Sequence, residues 1–358
     1  RAEFIPYVAG TATMTGTPAD GNPFDDGSET EARVGADFKV GLGSNLTLDG
    51  TINPDFGQVE ADPAEVNLTA FETFFPEQRP FFIEGNQLLQ GSGPGYYYSR
   101  RIGATPQGYA TGEVADSADF LDSPRYATIL GAAKLTGRTS SGMSIGALAA
   151  VTQREYANLY DMTTNSFDKV AVEPSTAYLV GRVQQEFGAS ASTVGVTLTG
   201  LSRNFSDAEP LKQQMTSQAV SGGADWLLRM NNGQFLVGGH AGFSYIHGSD
   251  TAVTAVQMSS AHYYQRPDQD YAVLDTTRTS LSGYSLGLNA EKAGGKHWTG
   301  GLFLGAESPG FELNDLGRLS SADDIDSEFF MNYRETQPGT VFRNYRLGLA
   351  TANGWNFG

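Results

Sequence analysis

The stretch AVSGGADWLLRMNNGQFLVGGHAGFSYIH, residues 219–247, decides the fold class. Apolar and polar residues alternate on both sides of Asn231-Asn232-Gly233, and Asn and Gly tolerate the positive φ angles of tight hairpin turns. The pattern therefore predicts two antiparallel strands. Large apolar side chains share one face of this hairpin, namely Ala224, Trp226, Leu228, Met230, Phe235, Val237, Ala241, Phe243 and Tyr245.

Similar hairpins recur along the whole chain. They are predicted at 32–52, 129–154, 177–203, 280–307 and 323–352. Turns inside the hairpins are short, whereas the connections between them (17–31, 53–124, 155–175, 204–217, 248–279 and 308–322) are long and polar. This alternation is typical of an up-and-down antiparallel barrel with short turns at one rim and long loops at the other. Strands of about 9–13 residues suit a tilted membrane crossing.

Composition agrees with a β-rich protein. The chain has 358 residues, 44 glycines, no cysteine and only 18% charged residues. Glycine is poorly tolerated in helices but common in turns, and disulfides are excluded. A formal net charge of −17 disfavours nucleic acid as a partner. No apolar run is long enough for a membrane helix, whereas alternating barrel strands keep mean hydropathy low.

The two strand faces differ in the surroundings that they favour. The apolar face carries aromatic residues near the short turns (Phe187, Phe235, Trp298) and toward the long loops (Tyr178, Tyr245, Tyr284). Amphipathic rings at these levels are typical of lipid interfaces. Charged and hydroxyl residues on the opposite face indicate a wet lumen. The alternative is a soluble β-sandwich or propeller, which would need a core side without these charges or a repeated blade motif.

The longest connection contains an inserted segment, residues 53–103, which we expect to act as a plug or cap. Asp62-Pro63-Ala64-Glu65 has the order of a helix start, and the pattern predicts a helix from Asp62 to Phe75 that ends at Pro76. Six charged residues are assigned to the plug and lumen: Glu72, Glu77, Glu84, Arg79, Arg100 and Arg101. The arginines either pair with these glutamates or contact anionic solutes or lipopolysaccharide phosphates.

Two acidic groups are candidates for a calcium site. Asn53, Asp55, Glu60 and Asp62 offer the oxygen ligands that Ca²⁺ prefers, but their spacing matches no standard calcium loop. The alternative is that they cap the helix and pair with the arginines. Asp20 to Gly27 is the second and weaker group, and a solvated turn is the interpretation that we favour. The four histidines show no metal-ligand spacing, and no other cofactor is expected.

Two short motifs raise the question of catalysis. Gly142-Met143-Ser144-Ile145-Gly146 and Gly283-Tyr284-Ser285-Leu286-Gly287 match the nucleophile-elbow pattern. That pattern requires a strand-to-helix turn, and both copies lie in predicted strands. We therefore expect no enzymatic activity.

Long stretches of the chain resemble a known family. NPDFGQVEADPAEVNLTAFETFFPEQRPFFIEG at 53–85, YYYSRRIG at 96–103 and ILGAAKLTGRTSSGMSIGALAAVTQRE at 129–155 are similar to an uncharacterised outer-membrane barrel domain of Gram-negative bacteria. The resemblance extends over the whole chain, from residues 1–10 to 342–358. It implies a cell outer membrane location and, in the full-length protein, a preceding periplasmic module similar to family-9 carbohydrate-binding modules. The resemblance does not indicate any particular activity or substrate.

The strand count suggests that the barrel is incomplete. We count about 13 strands in residues 1–358, whereas single-chain bacterial barrels usually have an even number. We expect about 14 or more strands, supplied by a missing C-terminal part or by a hairpin within 85–124.

The sequence leaves two functions open. The first is a channel or gated pore for small polar solutes, constricted by 53–103. The second is an anchor or docking platform for the carbohydrate-binding-like module or for a surface partner, with no transport. In both, the partners are outer-membrane lipid and lipopolysaccharide, and a glycan is a further candidate solute.

Overall fold

The computed structural model describes residues 2–14, 16–54, 67–206 and 208–358. Sixteen strands follow one another along these parts of the chain. They are β1 (Ala2–Met14), β2 (Ser28–Leu42), β3 (Leu46–Ile52), β4 (Phe120–Asp122), β5 (Ile129–Arg138), β6 (Met143–Thr152), β7 (Glu155–Asp161), β8 (Ser166–Glu173), β9 (Ser175–Phe187), β10 (Ser192–Asn204), β11 (Gln218–Met230), β12 (Phe235–His247), β13 (Ser280–Lys292), β14 (Trp298–Glu307), β15 (Asp324–Glu335) and β16 (Tyr345–Trp355).

Helices are few and short. The α-helices are α1 (Pro80–Ile83), α2 (Glu113–Ser117) and α3 (Asp250–Met258), and 3₁₀ turns cover Asn86–Leu88, Ser99–Arg101 and Glu209–Gln213. None of the helices in the described ranges has the length and apolar character needed to cross a membrane. The architecture is therefore mostly antiparallel β.

One large sheet contains thirteen of the strands. Its order is β1-β2-β3-β5-β6-β9-β10-β11-β12-β13-β14-β15-β16, so its neighbours follow the chain, and neighbouring strands are antiparallel. The remaining strands β4, β7 and β8 form a separate sheet on the long-loop side. Within the described residues β1 and β16 each pair on one side, and the large sheet is not closed.

The large sheet has an exposed apolar face and a covered polar face. In β10, Val194, Val196 and Leu198 are 44–56% exposed, whereas Thr197 and Thr199 are buried. The same outward set includes Leu179, Val183, Val220, Leu228, Met230, Phe243, Tyr245, Tyr284, Leu286, Leu288, Trp298, Leu302, Leu304, Phe329, Met331, Leu347 and Leu349. The buried inward set includes Asp49, Thr51, Lys134, Thr136, Arg182, Arg203, Ser221, Asp225, Ser244 and Ser285.

Two inner-face positions differ from the sequence prediction. The sequence pattern assigns Tyr178 to the outer aromatic set, but it is 7% exposed and belongs to the inner buried cluster. It alternates with exposed Leu179, so the period-2 pattern holds and only the assignment of Tyr178 is wrong. Ile129 also lies inside, because the β5–β6 register shifts between Ile129 and Gly131 and moves the start of β5 by one residue.

The predicted helix from Asp62 to Phe75 is wrong in its described part. Its start lies outside the described residues, and residues 67–75 form bends and irregular backbone. The Asn67 side chain accepts a hydrogen bond from the Thr69 amide at 2.9 Å and donates to the Phe71 carbonyl at 2.5 Å. These local bonds compete with helix formation, as Asn side chains commonly do.

Two further predicted elements differ. Residues 85–124 add no hairpin to the large sheet, and their one strand, β4, pairs with β7. The hairpin predicted at 323–352 has a longer connection than the short turn expected there, because β15 ends at Glu335 and β16 begins at Tyr345.

Candidate functional site

The site is the contact between the inner face of the large sheet and residues 79–104, which we call the plug. Phe82, Leu89, Tyr97 and Ile102 of the plug share one buried cluster with inner-face residues of the sheet. Those residues include Leu148, Val180, Leu201 and Leu281. The inner face predicted to be wet is therefore covered where the plug crosses it.

Lys134 of β5 attaches the first turn of the plug. It is 1% exposed, and its Nζ donates to the carbonyl oxygens of Phe81 and Glu84. The ammonium group also lies 4.7 Å from the centroid of the Phe81 ring. The last carbonyls of a helix lack intrahelical donors, so a lysine at the end of α1 satisfies them.

A buried ion pair lies beneath the middle of the plug. Arg182 of β9 and Asp225 of β11 form two contacts, Nη1 to Oδ2 at 2.5 Å and Nη2 to Oδ1 at 2.9 Å. Both side chains are less than 10% exposed. A β-carbon at Gly91 would lie 2.5 Å from Arg182 Nη1 and 3.0 Å from Asp225 Oδ2, so a larger residue would displace the ion pair.

Glycines in the wall, our name for the inner face of the large sheet, leave room for the Tyr96 side chain. Its hydroxyl sits against Gly223 of β11 and Gly242 of β12, where any β-carbon would overlap it. This hydroxyl is buried and makes no hydrogen bond within the described structure. Burial first, and then the nearby charges of Glu307 and Asp225, raise the pKa of Tyr96. The phenol therefore stays protonated at physiological pH.

Arg79 organises the backbone of the plug. It binds both carboxylate oxygens of Glu77, at 2.8 and 2.7 Å, and donates to the carbonyls of Ser99 and Ile102 at 2.8 and 2.7 Å. Burial alone would raise the pKa of Glu77, but the hydrogen bonds and charge of Arg79 prevail, and the pKa is lowered. Glu77 is therefore ionised at neutral pH.

The other charged residues predicted for the plug are also placed. Arg101 pairs with Glu72 at 2.5 Å, and Arg100 donates to the Pro76 carbonyl at 2.6 Å. Glu84 pairs with Lys39 of β2, a partner that the sequence pattern did not indicate. Of the two alternatives given for the arginines, pairing with the predicted glutamates is therefore the one observed for Arg79 and Arg101.

A second segment, the inner loop (residues 308–323), packs against the plug. The Tyr98 amide donates to Leu316 at 2.9 Å, and Gly95 forms a bridge with Arg318. His262 and Arg203 hold the inner loop through Glu312 at 2.7 Å and Asp315 at 2.6 Å.

Residues 107–109, which follow the plug in the chain, bind two other long connections. The Gly108 amide donates to Val172 at 3.0 Å, and Tyr109 exchanges two hydrogen bonds with Gln214 at 2.9 and 3.1 Å. Gln107 donates to Glu173 at 3.0 Å, and burial raises the pKa of Glu173 despite this bond. Three of the long connections are therefore joined to one another by hydrogen bonds.

The proposed calcium ligands Asp55, Glu60 and Asp62 lie outside the described residues. Asn53 is described, and its side chain donates to the Val34 carbonyl at 2.8 Å. Elsewhere in the described chain, no three His, Asp or Glu residues are grouped as metal ligands would be.

Both nucleophile-elbow serines lie inside strands. Ser144 is in β6 and Ser285 in β13, where Ser285 is buried between His240 at 3.0 Å and Glu307 at 3.2 Å. The serine separates the imidazole from the carboxylate, whereas a catalytic triad places the imidazole between the other two groups.

Sequence reasoning missed the wall residue Lys134, which attaches the plug, and the ion pair of Arg182 with Asp225 beneath it. A signal was present, because each is a charged residue at an inner position of an alternating strand. Its partner could not be read from the pattern, since each contact joins residues distant in sequence.

Comparisons with known proteins give little beyond the family. No curated protein matches the chain. Among solved structures, the outer membrane channel DcaP of Acinetobacter baumannii is similar at 12% identity and a TM-score of 0.27, over 99% of this chain and 97% of that one. A likeness at this level carries no conclusion. Residues 1–357 match the family described as Domain of unknown function (DUF5916), and the chain belongs to that family.

Proposed function

We propose that the chain forms an outer-membrane β-barrel channel for small polar solutes, closed in this conformation by the plug. The observation that carries the proposal is the distribution of side chains on the large sheet, which is the reverse of that in a soluble protein. Apolar residues are exposed and polar residues are covered. Val196 is 56% exposed, whereas the adjacent Thr197 is 3% exposed. Burying a Val or Leu side chain contributes roughly 1.5–3 kcal/mol, so a whole face of them favours lipid surroundings.

The attachment of the plug supports a channel that can open. Lys134, Arg182 and Arg79 hold the plug and its underlying wall through hydrogen bonds and ion pairs. Water can replace such contacts when the plug moves, because its hydrogen bonds are nearly as favourable as the ones it replaces. A constriction built this way is suited to gating.

The proposal requires the edges of the large sheet to be covered. Unpaired strand edges are not tolerated in hydrocarbon, because each unsatisfied backbone group costs several kcal/mol. We therefore propose that the free edges of β1 and β16 are both covered in the membrane. Lipid and lipopolysaccharide then contact the outer face.

Conductance in planar bilayers tests the proposal. We expect wild-type protein to be mostly closed and Lys134→Met to open more often, because two carbonyl oxygens of the plug lose their donor. Leaving such groups unsatisfied costs about 1–3 kcal/mol, which corresponds to roughly 5- to 150-fold in the opening equilibrium. Lys169→Met is the matched control, since Lys169 is exposed on β8.

The second candidate is a membrane platform that transports nothing. The hydrogen bonds between the long loops favour it, because Gln107 and Gly108 bind β8 and Tyr109 binds the 204–217 connection. Absence of conductance from wild type and Lys134→Met alike would contradict the channel and favour the platform. We infer no catalytic role in either case, and unchanged hydrolase assays after Ser285→Ala would support that.

A further inference from the structure

A stack of two arginines and two aromatic rings joins the plug to residues 67–78, which we call the arm. The Arg318 guanidinium lies 5.6 Å from the Phe74 ring, and Phe74 stacks on Tyr98 with centroids 5.4 Å apart. The Arg101 guanidinium lies 5.7 Å from the other ring of the pair, Tyr98. Cations over aromatic faces are attracted by the ring quadrupole.

The arm also supplies a carboxylate to this stack. Glu72 Oε2 lies 2.5 Å from Arg101 Nη2, and the Glu72 carbonyl accepts from Arg318 Nη2 at 3.0 Å. Glu72 and Phe74 thus present one carboxylate and one planar ring to two guanidinium groups. Guanidinium groups recognise carboxylates and stack on rings, so both contacts are ones that an external ligand would make.

Arg318 can form further hydrogen bonds and an ion pair that the described residues do not supply. It forms no ion pair with any carboxylate of the described residues, and its buried Nε has no hydrogen-bond partner there. A buried unsatisfied donor costs free energy, so a nearby acceptor would be favourable. Arg318 therefore points to an anion.

There is room for a ligand beside the Arg101 and Tyr98 half of the stack. A cavity of about 470 Å³ is lined by Glu72, Phe75, Tyr98, Arg100 and Arg101, among other residues of the arm, the plug and 103–107. Ligand pockets commonly have volumes of about 300–1,000 Å³. The cavity borders the long loops through Gln107 and Tyr126.

The contacts of the arm with Arg101 and Arg318 are exposed enough for the arm to move away from them. Phe74 is 56% exposed and the Glu72 side chain is 44% exposed, whereas Arg101 is only 12% exposed. Phe74 and Glu72 therefore bury little surface, and their exposed contacts contribute little to stability. The arginine side of the contact is the more deeply buried half.

We propose that Arg101, Arg318 and Tyr98 form a binding site for an organic anion that carries a planar ring, and that Glu72 and Phe74 occupy it as an internal substitute. The physiological meaning rests on the proposed channel, for which such an anion would be the solute. Binding would displace the arm from Tyr98, whose hydroxyl donates to the Phe75 carbonyl at 2.9 Å. Recognition would thereby loosen the outer side of the plug.

Peptide binding to purified full-length chain in detergent tests the site. The probe is fluorescently labelled acetyl-Glu-Thr-Phe-amide, which reproduces residues 72–74. We expect Glu72→Gln/Phe74→Ala to bind it at least about 10-fold more tightly than wild type, because the internal competitor is removed. In that background, Arg101→Gln and Arg318→Gln should each weaken binding about 10-fold or more.

Controls separate recognition from general effects. Arg125→Gln should leave binding unchanged, since Arg125 forms an exposed pair with Glu29. The peptides acetyl-Gln-Thr-Phe-amide and acetyl-Glu-Thr-Ala-amide should bind more weakly than the probe. Equal binding by wild type and the arm variant, or no loss with Arg318→Gln, overturns the site. Because the assay needs no membrane, intact binding without any conductance would overturn the channel alone.

Discussion

At the scale of single residues, three buried basic side chains stabilise the plug and the wall beneath it. Lys134 holds α1, Arg182 holds the wall beneath Gly91, and Arg79 holds the backbone at 99–102. All three are less than 5% exposed. A buried cation is destabilising unless it is paired, so removal of its partner should have a large effect.

The Glu77–Arg79 pair gives a prediction about pH. The pKa of Glu77 is lowered in the folded chain, so its contribution is complete at pH 7 and is lost as pH falls from 4.5 through the folded pKa. We expect Glu77→Gln to lower the free energy of opening at 99–102 by about 3 kcal/mol at pH 7, and to abolish the acid dependence. Hydrogen exchange of the Arg101 and Ile102 amides, corrected for intrinsic rate, measures both.

Glu209→Gln is the control for this prediction. Glu209 pairs with Lys212 at the surface, where both side chains are at least 46% exposed, so little change is expected. An exchange rate at 99–102 that responds equally to the two substitutions would contradict the role given to Glu77.

At the residue scale, the partners of two plug arginines are among the glutamates named from the sequence. Pairing of Arg79 and Arg101 with Glu77 and Glu72 was one of two alternatives, and the structure has it. The contact of Lys134 with Phe81 and Glu84 joins a strand to a loop some fifty positions earlier. No local pattern carries that information.

At the scale of elements, the alternating strands were predictable and the inserted segment was not. Period-2 patterns place β11 and β12 close to their observed bounds, because one side of each strand must stay apolar. Residues 67–75 carry helix-like spacing, yet local bonds of Asn67 give bends. Polar side chains that bond the nearby backbone override weak helical periodicity.

A disulfide between the plug and the wall tests movement of the whole element. A β-carbon at Gly85 would lie 3.3 Å from Thr136 Cβ, close to the separation found in disulfides. In the Lys134→Met background, we expect Gly85→Cys/Thr136→Cys to conduct when reduced and to close when oxidised. Bilayer recording before and after reductant measures this.

The disulfide experiment has an internal control. Gly85 has φ 71°, so cysteine there is strained by roughly 1–3 kcal/mol, but the strain is present in both redox states. Thr136→Cys alone cannot form this disulfide, because residues 1–358 contain no natural cysteine. Its conductance should therefore be the same with and without reductant. Equal conductance of the oxidised and reduced double variant would show that solutes do not need plug movement.

At the scale of the whole molecule, the order of strands follows from simple rules. Short turns join adjacent antiparallel strands, and the large sheet keeps chain order with β4, β7 and β8 set aside. The large sheet has the thirteen strands counted from the sequence, but within the described residues it is not closed. Closure depends on pairing between the most distant strands, which leaves no signature in local alternation.

The central claim is that the apolar face of the large sheet meets lipid and the polar face meets the plug. Because the chain has no cysteine, single nitroxide labels can be attached at each position from 194 to 199 in β10. In lipid vesicles, accessibility to oxygen, which concentrates in hydrocarbon, should peak at 194, 196 and 198 and fall at 195, 197 and 199. Peaks at 195, 197 and 199, or no alternation at all, would contradict this claim.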